Sequence, residues 1–126
     1  MHILLIEPDS LQARTYAAAF KRKGHTIAHA SGAQSAVSLA DEHMPDVVVL
    51  ELQLPGHNGI EFLYEFRSYP EWLSIPTVIH TFAPVGELQE SATLRSQLGV
   101  HRILYKPTTT LTALCSAVSA VALART

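Results

Sequence analysis

The chain has 126 residues, 48% hydrophobic and 16% charged, with a formal net charge of −2. That length supports one domain with a real core, and the composition excludes a disordered chain. A negative balance without a clustered basic patch argues against direct nucleic-acid binding. The least charged stretch, Pro107 to Ala124, holds six Ser or Thr residues and is marginal in length for a membrane span. Met1-His2 leads straight into a strand pattern with no signal-peptide pattern, so a soluble, cytoplasmic protein is expected. The single cysteine, Cys115, sits in an apolar helical stripe and reads as a small buried hydrophobe.

His2-Ile3-Leu4-Leu5-Ile6 reads as the first strand. Glu7-Pro8-Asp9-Ser10 breaks it and offers Asp9 or Ser10 as a helix N-cap. The first helix carries Ala13, Tyr16, Ala17 and Phe20 on one stripe and ends at Lys21-Arg22-Lys23, where cations offset the helix dipole. Thr26 to Ala30 is the second strand. Ala33, Ala36, Val37, Ala40 and Met44 stripe a second helix, stopped by Pro45. The third strand, Asp46-Val47-Val48-Val49-Leu50, is apolar on both faces, runs into Glu51 and breaks at Pro55-Gly56. Asn58 caps a third helix with Phe62, Leu63 and Phe66 inward, and Ser68 to Ile75 is a loop. Pro76 to Thr81 is the fourth strand. Gly86 to Leu98 forms a fourth helix of poor periodicity, expected to be mobile or partner-dependent. His101 to Tyr105 is the fifth strand, ended by Lys106-Pro107. A final helix starts near Thr108 to Thr110 and turns Leu111, Leu114, Cys115, Val118 and Val121 inward.

Strands alternating with helices predict an α/β domain over residues 1–126: a flavodoxin-like five-stranded parallel sheet in the order 2-1-3-4-5, with helices on both faces. In such a sheet the carboxyl ends of the strands meet at a switch point, which brings Glu7, Glu51, Thr81 and Lys106 together. Two carboxylates can hold a divalent cation, and a hydroxyl with an ammonium can bind anionic oxygens.

These residues resemble a family. Ile3-Leu4-Leu5-Ile6-Glu7, Pro45 to Glu51 with Leu54-Pro55-Gly56-His57-Asn58-Gly59, Pro76 to Thr81, and Gly99 with Leu104-Tyr105-Lys106-Pro107 are similar to the receiver domains of two-component response regulators. The resemblance implies magnesium-assisted phosphoryl transfer from a histidine kinase to an aspartate, and a Lys-Pro bond that is often cis. It also places Glu51 at the phosphoacceptor position, Glu7 and Pro8 at the acidic pair, and Thr81 and Lys106 at the residues that grip the phosphoryl group. Ile103 falls at the aromatic switch position, and Phe82 where the family has a small residue.

The departures shape the functional expectation. Glu51 is longer than aspartate by one methylene, roughly 1.5 Å, enough to spoil in-line attack. Pro8 offers no side-chain oxygen, and Asp9 replaces it only if the loop shifts by one residue. No cofactor is expected, with magnesium weak or absent and Glu7 and Glu51 as the residual ligands. Ile103 has no ring to swing, and Phe82 is expected to fill the space such a ring would occupy. The expectation is a non-enzymatic pseudo-receiver that does not depend on phosphorylation, in which Glu51 staples to Lys106 or stands in part for a phosphoryl group. The alternatives are an active magnesium-dependent phosphoacceptor using Asp9 or Glu51, and a small-molecule sensor. Residues 1–126 read as a single receiver-like domain, with the front part of a longer regulator as the expected setting.

The outer face of the final helix is small and uncharged, with Ala113, Ser116, Ala117, Ser119, Ala120 and Leu123. A homodimer or effector contact is expected there, since the resemblance implies an interface on the surface of the fourth helix, fifth strand and final helix. The seven histidines fall on different elements and are read as scattered, not as a metal site.

Overall fold

The computed structural model describes residues 1–125, with side chains through Val121. Five parallel strands form the sheet: β1 (His2–Ile6), β2 (Thr26–Ala30), β3 (Val47–Leu50), β4 (Thr77–Thr81) and β5 (Val100–Tyr105). Their spatial order is β2-β1-β3-β4-β5, as the βα alternation requires. The helices are α1 (Ser10–Arg22), α2 (Ala33–Glu42), α3 (Gly59–Arg67), α4 (Gly86–Gln89), α5 (Ala92–Ser96) and α6 (Leu111–Arg125).

Successive strand residues point to opposite faces, so apolar runs feed two cores. Ile3, Leu5, Val47, Val49 and Val78 pack under α1 and α6. Leu4, Ile6, Val48, Leu50 and Ile79 pack under α2 and α3, with Phe62, Phe66 and Trp72. Side chains lost from water on both faces explain why β3 has no polar alternation.

Register aligns the strand ends. Ile6 lies opposite Leu50, and the Glu51 N–H donates to the Ile6 carbonyl at 3.0 Å, so Glu7 and Glu51 leave the sheet side by side. Thr81 lies opposite Tyr105, which brings Phe82 and Lys106 to the same rim. Beyond Glu51, Gln53–Leu54 and His57–Asn58 form a small antiparallel hairpin, and the Gly59 N–H returns to the Leu52 carbonyl at 2.7 Å. A Cβ on Gly59 would meet the Leu52 Cα at 2.8 Å, so only glycine lets α3 start this close to the site loop.

Several expectations need correction. The fourth helix is two short pieces, because the Ser91 hydroxyl accepts from the Leu94 N–H at 3.3 Å and restarts the helix where no apolar stripe runs through. Met44 lies past the end of α2 and is exposed. The loop after α3 contains a 3-10 turn, Pro70–Trp72, that buries Trp72. Leu111, expected inward, is 37% exposed, whereas Ala117, expected on the outer face, is buried at 3% exposed. Ala113, Ser116 and Ala120 are exposed, and Leu123 lies outside the described side chains. A helix without charges gives no polar face from which to read its rotation. No peptide bond among the described residues is cis, including Lys106-Pro107.

Candidate functional site

The site is assembled from loops that follow strands. Asp9 caps α1, its Oδ1 accepting from the Gln12 N–H at 2.9 Å, which fixes the turn after Glu7. The Glu7 Oε2 accepts from the Asp9 N–H at 3.1 Å, and the His29 Nε2–H donates to the Glu7 carbonyl at 2.8 Å. The Glu51 Oε2 accepts from the N–H groups of Leu52 and Gln53 at 2.6 and 3.3 Å. Its Oε1 accepts from the Phe82 N–H at 3.2 Å and from the Lys106 Nζ at 3.0 Å. The same ammonium donates to the Glu7 Oε1 at 2.5 Å. Lys106 therefore bridges both carboxylates.

The bridge is closed to solvent: the side chains of Lys106, Glu7 and Glu51 are each 3% exposed. Burial pushes the Glu51 pKa up. Hydrogen bonds from the Thr81 hydroxyl and Lys106, the Lys106 charge and the Phe82 N–H outweigh it and hold Glu51 below its ordinary value. Thr81 is fully buried, and its Oγ1 accepts from the Ala83 N–H at 3.0 Å.

Two residues that the sequence did not single out for the site extend it: Tyr16 beside the ammonium, and His80 against Tyr16. The Tyr16 ring of α1 lies 5.8 Å from Lys106 Nζ, and its hydroxyl donates to Gln12 Oε1 at 3.0 Å. Burial and the charges of Glu7, Glu51 and Asp9 push the Tyr16 pKa up to about 12, so the phenol stays neutral. His80 meets the Tyr16 ring edge-on at 4.9 Å. Burial and the Lys106 charge lower its pKa to about 4, against the opposing effect of Glu51. Tyr16 belongs to the inward stripe of α1 and His80 directly precedes Thr81, so only the Tyr16 ring's distance from Lys106 and the contact of His80 with that ring mark them.

Glu7, Glu51, Thr81 and Lys106 are thus brought together as the strand-end pattern predicts. Pro8 lies beside them without a donor, and Asp9 is spent on its cap. The switch positions differ from expectation. Ile103 is buried in the first core, and Phe82 does not fill a cavity beside it. Phe82 is 47% exposed and lays its ring 4.9 Å from Lys106 Nζ. The bulky residue turns toward the cation because a ring face attracts it and the core around Ile103 is already packed.

The response regulator receiver domain family model matches residues 3–119. The chain belongs to that family. Among curated relatives, Protein PilH of Pseudomonas aeruginosa is 28% identical over 79 residues, covering 63% of this chain and 65% of that protein. The virulence transcriptional regulatory protein PhoP of Salmonella typhimurium is 27% identical over 81 residues, covering 64% of this chain and 35% of PhoP. The chain thus spans about two thirds of PilH and about one third of PhoP. A sensor protein from Polaromonas sp. JS666 superposes with a TM-score of 0.87 at 19% identity, covering 99% of this chain and 98% of that one. Chemotaxis protein CheY4 of Vibrio cholerae does so with 0.84 at 18% identity, covering 95% and 97%. These structural matches share the fold of this receiver domain.

Receiver domains of this family use magnesium, and the donor set here fits it poorly. An ammonium occupies the position between the two carboxylates, Pro8 supplies no oxygen, and the Asp9 Oδ1 is held by its cap. Among the described residues, no group of three or more His, Cys, Asp or Glu side chains is arranged to hold a metal ion. The histidines are not all scattered: His2 stacks on His43 with ring centroids 3.9 Å apart, at the opposite rim of the sheet. Among the described residues no helix is long and apolar enough to cross a membrane.

Proposed function

We propose that this receiver domain acts without phosphorylation, as a fixed protein-interaction module of a response regulator in cytoplasmic signal transduction and transcription regulation. One observation carries the reading. Glu51, which the resemblance sets at the acceptor position, has both oxygens already engaged by three backbone N–H groups and Lys106. A carboxylate held in this way has no free lone pair aimed at an incoming phosphorus, and the cation that would steady the leaving charge is spent on Glu7 and Glu51.

The geometry favours a staple over a phosphoryl mimic. Glu51 brings one charge, where a phosphorylated side chain carries about −1.5 to −2. Lys106 already bridges it to Glu7, tying the ends of β1, β3 and β5 into one unit. A small-molecule sensor would need an open crevice, and these side chains are buried. With Ile103 packed in the core, the domain has no ring poised to swing between two positions, so it transmits by the surface it presents. That surface includes α4, α5, β5 and the exposed Ala113, Ser116 and Ala120 of α6, the proposed face for a homodimer or an effector domain.

Incubation with acetyl phosphate and magnesium, followed by intact mass measurement, tests the reading. The expected result is unmodified protein. A stoichiometric phosphoryl adduct on Glu51 or Asp9 overturns it. Glu51→Asp alone is expected to stay inert, while Glu51→Asp with Pro8→Asp recovers some labelling.

A further inference from the structure

We propose that Phe82 and Tyr16 form an aromatic cap over Lys106, and that this cap controls access to the carboxylate–ammonium cluster. The inference rests on reading the cluster as a permanent staple and adds what keeps it closed.

Three observations converge. First, the Lys106 side chain is 3% exposed although it lies at the rim of the sheet, where strand-following residues ordinarily meet solvent. Second, two rings from different elements lie against its ammonium: Phe82 after β4 at 4.9 Å and Tyr16 of α1 at 5.8 Å. Third, Phe82 is 47% exposed, so it is the outer member of the pair and the one that separates the cation from water. A half-exposed phenylalanine at a rim loses apolar burial unless its face meets something, and here it meets a cation.

The backbone holds the ring in place. The Phe82 N–H donates to Glu51, and the Ala83 N–H donates to the Thr81 hydroxyl, so the segment carrying Phe82 is tied at two successive amides. Tyr16 is tied through its hydroxyl to Gln12 and is backed by His80. Both rings are therefore positioned by the groups that complete the cluster. The carboxylates explain why Lys106 is paired, and the rings explain why it is dry. Removing Phe82 leaves both carboxylates, which makes the two contributions separable.

The test labels amines on the intact chain with a limiting dose of acetic anhydride and reads each lysine by peptide mass. Lys21 and Lys23, both exposed, serve as internal controls. Lys106 is expected to react far more slowly than either in the parent protein. In Phe82→Ala its rate is expected to rise on the order of tenfold, with Lys21 and Lys23 unchanged. In Phe82→Leu, which keeps bulk without a ring face, an intermediate rate is expected. A Lys106 rate equal to that of Lys21 in the parent, or the same Lys106 rate in the parent and in both variants, overturns the cap. Circular dichroism and melting of each variant separate local opening from unfolding, and a rise seen only in an unfolded variant also counts against it. Failure of the staple reading looks different: a phosphoryl adduct appears on the parent protein while Lys106 stays protected from acylation.

Discussion

Lys106→Met is the sharpest perturbation of the site. It removes the only cation among two buried carboxylates while keeping the apolar stem that passes Tyr16 and Phe82. Breaking a buried ion pair by deleting one partner costs about 3–5 kcal/mol, because the remaining charge stays desolvated. Here two carboxylates lose the same partner, and they lie close enough to repel each other, so the upper part of that range applies. For a domain of this size the loss corresponds to a fall in Tm of roughly 10–20 °C. The pH dependence gives a second signature. Without Lys106 the Glu51 pKa rises, and one proton shared by the pair relieves both burial and repulsion. The deficit relative to the parent protein should therefore shrink as pH falls from 7 toward 5. Urea unfolding of parent and variant at both pH values measures it. A further variant, Lys106→Met with Glu7→Gln and Glu51→Gln, should recover much of the loss, since it leaves no unpaired charge. A deficit under about 1 kcal/mol that does not change with pH is the behaviour of an exposed pair and would refute the reasoning.

Three other outcomes are expected. His80 has its folded-state pKa near 4, below its unfolded value of 6.5, so its contribution to stability is present above pH 6.5 and is lost as pH falls from there toward 4. NMR titration of its ring protons checks this, and a midpoint near 6.5 contradicts it. Gly99 has φ +68, and a Cβ there would meet the Arg67 Nη2 at 2.5 Å. That guanidinium is held by the Leu98 carbonyl, the Trp72 carbonyl and the Thr77 hydroxyl at 2.9, 2.6 and 3.1 Å. Gly99→Ala should cost about 1–3 kcal/mol in denaturant unfolding, and a neutral result would show that the clamp relaxes freely. Ala117→Glu is expected to destabilise the fold, because it buries a charge beside Val118. Ala113→Glu and Ala120→Glu should keep the melting temperature and, if α6 is the dimer face, shift sedimentation toward monomer; an unchanged sedimentation profile removes that face.

Much of the site was legible before any coordinates. Apolar strands end in a polar residue followed by a break, and the parallel order forces those ends to one rim. Glu7, Glu51, Thr81 and Lys106 followed from that; the cap at Asn58, and one at Asp9 or Ser10, followed from capping being local chemistry within three residues. The position of α6 about its own axis was not legible, since its small uncharged residues carry no contrast between faces. The spacing of Met44 continues the apolar stripe of α2 although the helix ends at Glu42, so the side chain is exposed. The division between α4 and α5 turned on one serine cap competing with a weak apolar pattern.

The sequence by itself determined the layered α/β order, the Glu51 carboxylate at the end of β3 and Pro8 after Glu7, because each is set by residue identity or short-range spacing. Only the tertiary structure decided that one ammonium bridges Glu7 and Glu51, that the Phe82 and Tyr16 rings lie against it, and that His80 packs on Tyr16. Those contacts join residues up to 99 positions apart in the chain. Their geometry depends on strand register and on which core has room, and neither is written in any one segment.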